Sequence, residues 1–553
     1  MQKNCRQCAA SFQVTPWKLR LYEKFDAKPD GLCFDCQQKN RLLFRNERVL
    51  YKRKCDATGK EIVSIYAPDS PYTVYNNEYW NGDKWDALSY GREYDFNKTF
   101  FEQFAELHKV VPRSPLVNMR SENSDYCNMC IGNKDCYLVF GGDFNDGCMY
   151  GTLCMHNRDC LDIDYSNGSE LCYMMDNSMD CYGCSFTWDS KNCNDCHFVT
   201  DCIGCSECIM CSNLNNKSYH IDNKPYAKEE YLRKKKEILS GSREKQLGNW
   251  EKFKEMRSHR IVKFGHVIAC ENCSGDYLKN SKNCHNCFDV SDSEDINNCI
   301  FATKAKDCFN VSLIGDGTEL IFNSIAIMEP SNVRGSYYVL GGANVEFCEQ
   351  MVSSQDVLGC NGLKHKQYCI LNKQYSRDDF LALRAKIVER MKKTTAAAGQ
   401  AGEWDMFLPR ELSCFAYNES TAMRYFPLTK EQALKEGFRW KEEDKKSYLP
   451  QTFKVPDNIR DVPESILDQI LVCKTCGKNF KVIAAELKFY REQNIPVSEN
   501  CPDCRQKERI SLRNPLKVYE CACAKCGAPV QTTYPPQSPE SVYCESCYLK
   551  EVY

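Results

Sequence analysis

Asn133-Lys-Asp-Cys-Tyr137 opens a run in which cysteine stands at 136, 148, 160, 172, 184, 196 and 208, always 12 residues apart. A second set, at 181, 193 and 205, keeps the same step. Ser190-Lys-Asn-Cys-Asn-Asp-Cys196 contains one member of each, with the Asn, Asp and Ser that recur between them. A fixed period with turn formers at fixed offsets marks a solenoid. Twelve residues are too few for a helical hairpin, but they suit short β-strands joined by tight turns. Gly141-Gly142, Asn167-Gly168 and Asn177-Ser178 supply those turns. Equivalent residues then stack, and the cysteines form an internal ladder.

The same pattern returns downstream. Ser281-Lys-Asn-Cys-His-Asn-Cys287 echoes 190–196, and Tyr337 to Cys348 echoes Tyr137 to Cys148, glycine pair included. Residues 360–375 align with 211–226 without a gap. The expected fold class is therefore mainly β: two short β-solenoid blocks, residues 115–226 and 261–375, with a few helices. A basic helical hairpin is expected at 227–260 and a connecting helix at 91–114, packed on the first coil. A capping helix is expected at 376–393, opened by Ser376 and Asp379. Residues 394–468 read as a linker region, flexible at 394–402, with no core of its own.

The chain ends carry the clearest chemistry. Cys5-Arg-Gln-Cys8 with Cys33-Phe-Asp-Cys36, and Cys473-Lys-Thr-Cys476 with Cys501-Pro-Asp-Cys504, are pairs of CxxC knuckles. Four thiolates so spaced close a tetrahedron around Zn²⁺. The two sets are related by a shift of 468 residues, and the match runs on through Phe12/Phe480, Tyr22/Tyr490, Arg45/Arg513 and Tyr51/Tyr519. One module, at 1–90 and 469–553, is thus present twice. The C-terminal copy adds Cys523, Cys526, Cys544 and Cys547; the N-terminal copy has Cys55, Thr58, Asn76 and Tyr79 there, so that site has lost its metal. Three zinc ions are expected. Cys521 lies outside any knuckle and is left free.

Of 553 residues, 39 are cysteine. An odd count, many CxxC pairs and a polar start favour metal in a reducing, cytoplasmic setting over disulfides. No apolar run is long enough to span a bilayer. Residues 1–60 hold 14 basic against 6 acidic side chains, 115–220 hold 5 against 15, and 224–265 hold 13 against 6. The basic tracts 41–54, 505–517 and 233–236 suit a phosphate backbone or an acidic protein face. Ladder cysteines read either as small buried packing residues or as metal and redox groups. Cys202, Cys205, Cys208 and Cys211 approximate a ferredoxin spacing, but the last step is short and no proline follows. His156, His197, His285 and His365 form no ligand pair. Phosphate loop, nucleophile elbow and dinucleotide fingerprint are all missing.

Residues 471–480 with Glu486, Phe489-Tyr490, Pro496 and Cys501-Pro-Asp-Cys-Arg505 resemble the probable zinc-ribbon domain of small bacterial proteins. Together with the Asn-Lys-x-Tyr terminators and 411–430, the chain resembles uncharacterised cysteine-repeat zinc-ribbon proteins of candidate-phylum bacteria. That resemblance implies zinc binding and no particular activity. The expectation is a non-enzymatic scaffold that binds a protein or nucleic acid, with no membrane and no evident small-molecule substrate. The alternative is a metal-handling or redox protein built on the ladder.

Overall fold

The computed structural model describes residues 2–394, 401–442 and 448–552. Most of the expected flexible linker, at 395–400, lies outside them. The chain is mainly β, with a few helices. Two sheets dominate, one of seven strands and one of eleven, parallel but for a short antiparallel last strand in each, and their strands follow one another in chain order. In the first, Leu161 pairs with Tyr173, Tyr173 with Ser185, Ser185 with His197 and His197 with Ile209, a register of 12 throughout. In the second, Cys287 pairs with Cys299 and Val339 with Met351. Two steps there differ. Val267 pairs with Leu278, and Lys306 with Glu319, where Asp316-Gly317 makes room for an added residue.

A period of three underlies the period of 12. From Met129 to Asp222 every third residue has a positive φ, near +45° to +67°. Each repeat is therefore four triplets, each with one left-handed residue. Glycine, Asn and Asp take that conformation most readily, and they occupy many of these places: Gly132, Asp135, Gly141, Asp159, Gly168, Asn177, Asp189 and Gly204. The residue that follows points into the core. Cys130, Cys136, Cys148, Cys154, Cys160, Cys172, Cys181, Cys184, Cys193 and Cys196 all take this place and are buried. Asn133, Asn145, Asn157, Ser166, Ser178 and Ser190 share it. There are thus four inward columns, not the two that the cysteine spacing indicates.

This geometry accounts for the cysteine. The interior is narrow, so only small side chains fit, and backbone carbonyls line it, so a donor is useful. Cys136, Cys160 and Cys184 donate to the carbonyls nine residues on, at 3.4, 3.5 and 3.4 Å. Cys160 and Cys184 accept from the backbone N–H of Cys172 and Cys196, both at 3.4 Å. The Asn column is bonded to itself: Asn145 Nδ2 donates to Asn133 Oδ1 at 3.2 Å, and Asn157 Nδ2 to Asn145 Oδ1 at 3.1 Å.

Adjacent strands approach so closely that some positions admit no Cβ. At Gly275, φ +130°, a Cβ would lie 1.7 Å from the carbonyl oxygen of Cys287. Strain and clash act together here, so Gly275→Ala is expected to cost at least about 3 kcal/mol. Urea unfolding of the variant checks this; a midpoint equal to the parent's contradicts it.

The two end modules are built alike, element for element, at the 468-residue offset. Helices Pro16–Lys24 and Phe34–Leu42 correspond to Ala484–Glu492 and Pro502–Ser511, and hairpin Tyr51–Lys54/Glu61–Ser64 to Tyr519–Ala522/Pro529–Thr532. They dock crosswise. In the N-terminal module Tyr22 packs edge-on against Phe309, Phe25 stacks on Phe322, and Ser312 Oγ donates to Gln38 Oε1 at 2.6 Å, all on the second sheet. In the C-terminal module Tyr490, the equivalent of Tyr22, packs on Tyr173 of the first sheet. Each module also reaches the other sheet: Arg48 donates to Thr152 at 2.9 Å, and Thr533 bonds Asp276.

One expectation needs correction. The helix before the first block is shorter, Phe100–Val110, because Thr99 and Glu102 form a capping box there. It packs on the second sheet, with Phe100 5.4 Å from Phe347, not on the first. Several basic side chains of the tracts are taken up inside the molecule: Arg41, Arg45, Arg505 and Arg509 are buried, and Arg513 pairs with Asp176 and Asp289. Lys235 of the helical hairpin pairs with Asp195 and Glu207. For these side chains the acidic partner is the chain's own. Residues 401–468 show no separate apolar cluster among the described residues: Trp404, Phe415, Tyr417 and Phe438 join one shared with the N-terminal module and the second block, while Val455, Ile459 and Ile466 join one shared with the C-terminal module and the first block.

Candidate metal centres

Three cysteine tetrads come together: Cys5/Cys8/Cys33/Cys36, Cys473/Cys476/Cys501/Cys504 and Cys523/Cys526/Cys544/Cys547, the sulfurs of each within 4.8 Å of one another. A Zn–S₄ tetrahedron with bonds of about 2.3 Å has S···S edges of about 3.8 Å. Cys8–Cys33, Cys476–Cys501 and Cys526–Cys544 measure 3.6, 3.8 and 3.7 Å. Each tetrad can hold one zinc, three in all.

All three are assembled the same way. The first knuckle lies in the turn of a short hairpin, where Gly477 and Gly527 take φ +70° and +74°. The second opens a helix: Cys33 and Cys501 are the N-caps of Phe34–Leu42 and Pro502–Ser511, and Cys544 precedes Glu545–Val552. A ribbon would place the second pair in another hairpin turn. Here the helix N-terminus contributes its positive dipole end to the thiolates. In each tetrad a backbone N–H bonds the first sulfur: Cys33 to Cys5 at 3.3 Å, Cys501 to Cys473 at 3.3 Å, Cys544 to Cys523 at 3.2 Å. Burial alone would raise the Cys473 thiol, but the N–H groups of Cys501, Cys476 and Thr475 outweigh it and bring it down to about 6. The thiolate is the form a metal takes.

The lost fourth site keeps the scaffold without the ligands. Asn76 N–H still donates to Cys55 Sγ at 3.2 Å, and Asn76 Nδ2 donates to Thr58 Oγ1 at 3.1 Å across the place a metal would fill.

The ladder cysteines are arranged differently. Among the described residues they form no set of three or more ligand atoms mutually within 4.8 Å. Burial pushes the thiols of Cys130, Cys154 and Cys299 well up, away from the thiolate, whereas hydrogen bonds from Cys193 and Cys196 bring Cys205 and Cys208 down.

An ionic junction joins the two sheets. His266 Nδ1 lies 3.0 Å from Asp276 and its Nε2 3.7 Å from Asp189, with its ring stacked on Tyr277 at 4.3 Å. Arg257 and Arg260 pair with Asp189 and Asp201 from the neighbouring helix end. Burial would lower the imidazole, but Asp276 and Asp189 outweigh it and raise it to about 9. A raised histidine contributes stability that is complete below its unfolded value, about 6.5, and is lost as pH rises through 9. Stability is therefore expected to fall by at most about 3 kcal/mol between pH 6.5 and 10. Denaturant midpoints across that range, flat in His266→Gln, check it.

A cavity of about 570 Å³ also opens between the sheets, with Met129, Met155, Met179 and Met328 in its wall. Asp143 lines it, pushed up to about 6 by burial. Nothing in the motif pattern marks this space, because its wall comes from both repeats. Among the described residues no helix is long and apolar enough to cross a membrane.

No curated protein matches the chain. Residues 467–512 match the family described as a probable treble clef domain, which narrows the expected zinc ribbon to the hairpin-and-helix arrangement seen around Cys473, Cys476, Cys501 and Cys504.

Proposed function

We propose that this chain is a cytoplasmic, non-enzymatic, zinc-binding scaffold. Two β-solenoid blocks, residues 115–226 and 261–375, are locked across each other by two copies of one treble-clef module at 1–90 and 469–553. The observation that carries this reading is that each module spends its basic and aromatic face on the blocks. Arg505, Arg509 and Arg513 meet Asp162, Asp164 and Asp176 of the first, while Tyr22, Phe25 and Gln38 meet the second. Zinc in such a module is structural. Exposed faces of the blocks remain for a partner, protein or nucleic acid.

The competing reading is metal handling or redox work by the thiol columns. It is weakened by thiols that already donate to carbonyls. The two separate on zinc content. Cys5→Ser, Cys473→Ser and Cys523→Ser are each expected to remove one ion relative to the parent protein, and Cys160→Ala none. Zinc unmoved by the tetrad substitutions rejects the scaffold reading; metal lost with Cys160→Ala favours the alternative. A nucleic-acid partner would show binding that weakens steeply with salt.

A further inference from the structure

Cys414 belongs to no knuckle and no repeat, yet it does not stand alone. Its Sγ lies 3.8 Å from His108 Nε2, and the same nitrogen lies 3.3 Å from Glu349 Oε2. The three ligand atoms are mutually within 4.8 Å. His108 comes from the last turn of helix Phe100–Val110, Glu349 begins the strand Glu349–Leu358, and Cys414 comes from the segment that crosses back over both. We propose that His108, Glu349 and Cys414 form a fourth metal site, of mixed nitrogen, oxygen and sulfur donors, for a zinc-class divalent transition ion.

The edges fit. A tetrahedral ion with ordinary bonds to these donors has an N···O edge of about 3.4 Å and an N···S edge of about 3.6 Å. The observed 3.3 and 3.8 Å require only a small inward turn of the Cys414 side chain. Ligating carboxylates are themselves held by hydrogen bonds, and Glu349 is: Arg113 bonds its Oε1, and Asn361 Nδ2 donates to Oε2 at 2.9 Å. Arg113 Nη2 also donates to the His108 carbonyl at 2.8 Å, fixing that end of the helix. The register explains the rest. Tyr337, Glu349 and Asn361 stand in one column, 12 residues apart. The Tyr337 hydroxyl, 3.0 Å from His108 Nε2, therefore borders the remaining corner.

Charge indicates what fills that corner. Arg113 balances Glu349, and the Cys414 thiolate balances half of a dication. One positive charge is left, which a hydroxide or the Tyr337 phenolate neutralises. His108 and Glu349 are buried, whereas Cys414 is partly exposed, so an ion reaches the site from the Cys414 side.

Cadmium-113 NMR of the full chain loaded with cadmium separates this site from the tetrads, since a centre with one sulfur resonates well upfield of four-sulfur centres. The expected spectrum of the parent protein has one such upfield resonance beside those of the tetrads. Cys414→Ser should remove it and leave the tetrad resonances in place. A parent spectrum without the upfield signal overturns the proposal, as does its persistence in a folded Cys414→Ser protein. If Cys414→Ser does not fold, His108→Gln takes its place, and the parent spectrum alone still decides. The tetrad signals are read separately, so failure here does not touch the zinc reading above.

Discussion

Cys501→Ser is expected to release one zinc and unfold residues 471–512, the largest single effect foreseen for this protein. The segment has two short helices and a hairpin of two-residue strands. So small a unit draws its folding free energy from the metal, on the order of 10 kcal/mol or more for structural zinc. Cys501 serves three ends at once: it belongs to the tetrad, its carbonyl accepts from the Arg505 N–H at the start of Pro502–Ser511, and its own N–H bonds Cys473. The loss should not stop at the module. When the helix melts, Arg505 and Arg509 leave the first sheet, and Asp162 and Asp164 remain buried beneath. Hydrogen exchange should therefore quicken over 471–512 and over strands Leu161–Asp164 and Tyr173–Asp176. The second sheet, which takes its cover from the N-terminal module, should change little. Unaltered exchange at 161–176 would show that the first sheet does not depend on the docked helix.

What could be read from the residues, and what could not, follows from where each signal resides. The 12-residue step and the 468-residue duplication are written in cysteines and aromatics at fixed offsets, so they are visible without a structure. The tetrads are visible for the same reason. The triplet step was hidden, because the left-handed places hold Leu138, Phe144, Tyr150 and Phe186 as well as Gly, Asn and Asp. Bulky residues rarely take that conformation, and here the parallel ladder holds them in it. The cysteine set 181, 193 and 205 looked like a second register, but it is one of four columns whose other members are Asn, Ser, Val and Thr. The crosswise docking was beyond reach as well. Asp164 and Arg509 are 345 residues apart, and composition reveals only that one segment is acidic and another basic. His108, Glu349 and Cys414 lie on three separate segments, and the only hint was a cysteine outside every pattern.

Replacing Arg509 by methionine should cost about 3–5 kcal/mol, the range for breaking a buried ion pair by removing one partner. Arg509 is fully buried, with Nε 2.7 Å from Asp164 and Nη1 2.8 Å from Asp162. Arg505 takes the other oxygen of Asp162 at 2.7 Å and reaches Glu486 at 3.1 Å, while Tyr150 and Tyr490 both donate to Glu486. Arginines at 505, 509 and 513, four residues apart, thus form one stripe over a row of carboxylates. Methionine fills the space but leaves Asp164 with no cation and Asp162 with only Arg505. Both carboxylates are fully buried, so charge left without its cation is costly. Adding Asp162→Asn and Asp164→Asn to Arg509→Met should restore most of the loss, because the cost lies in stranded charge more than in missing contact. Denaturant unfolding of the four proteins, parent, Arg509→Met, the double aspartate variant and the triple, measures this directly. A triple variant no more stable than Arg509→Met would mean that the stripe holds the module by packing alone.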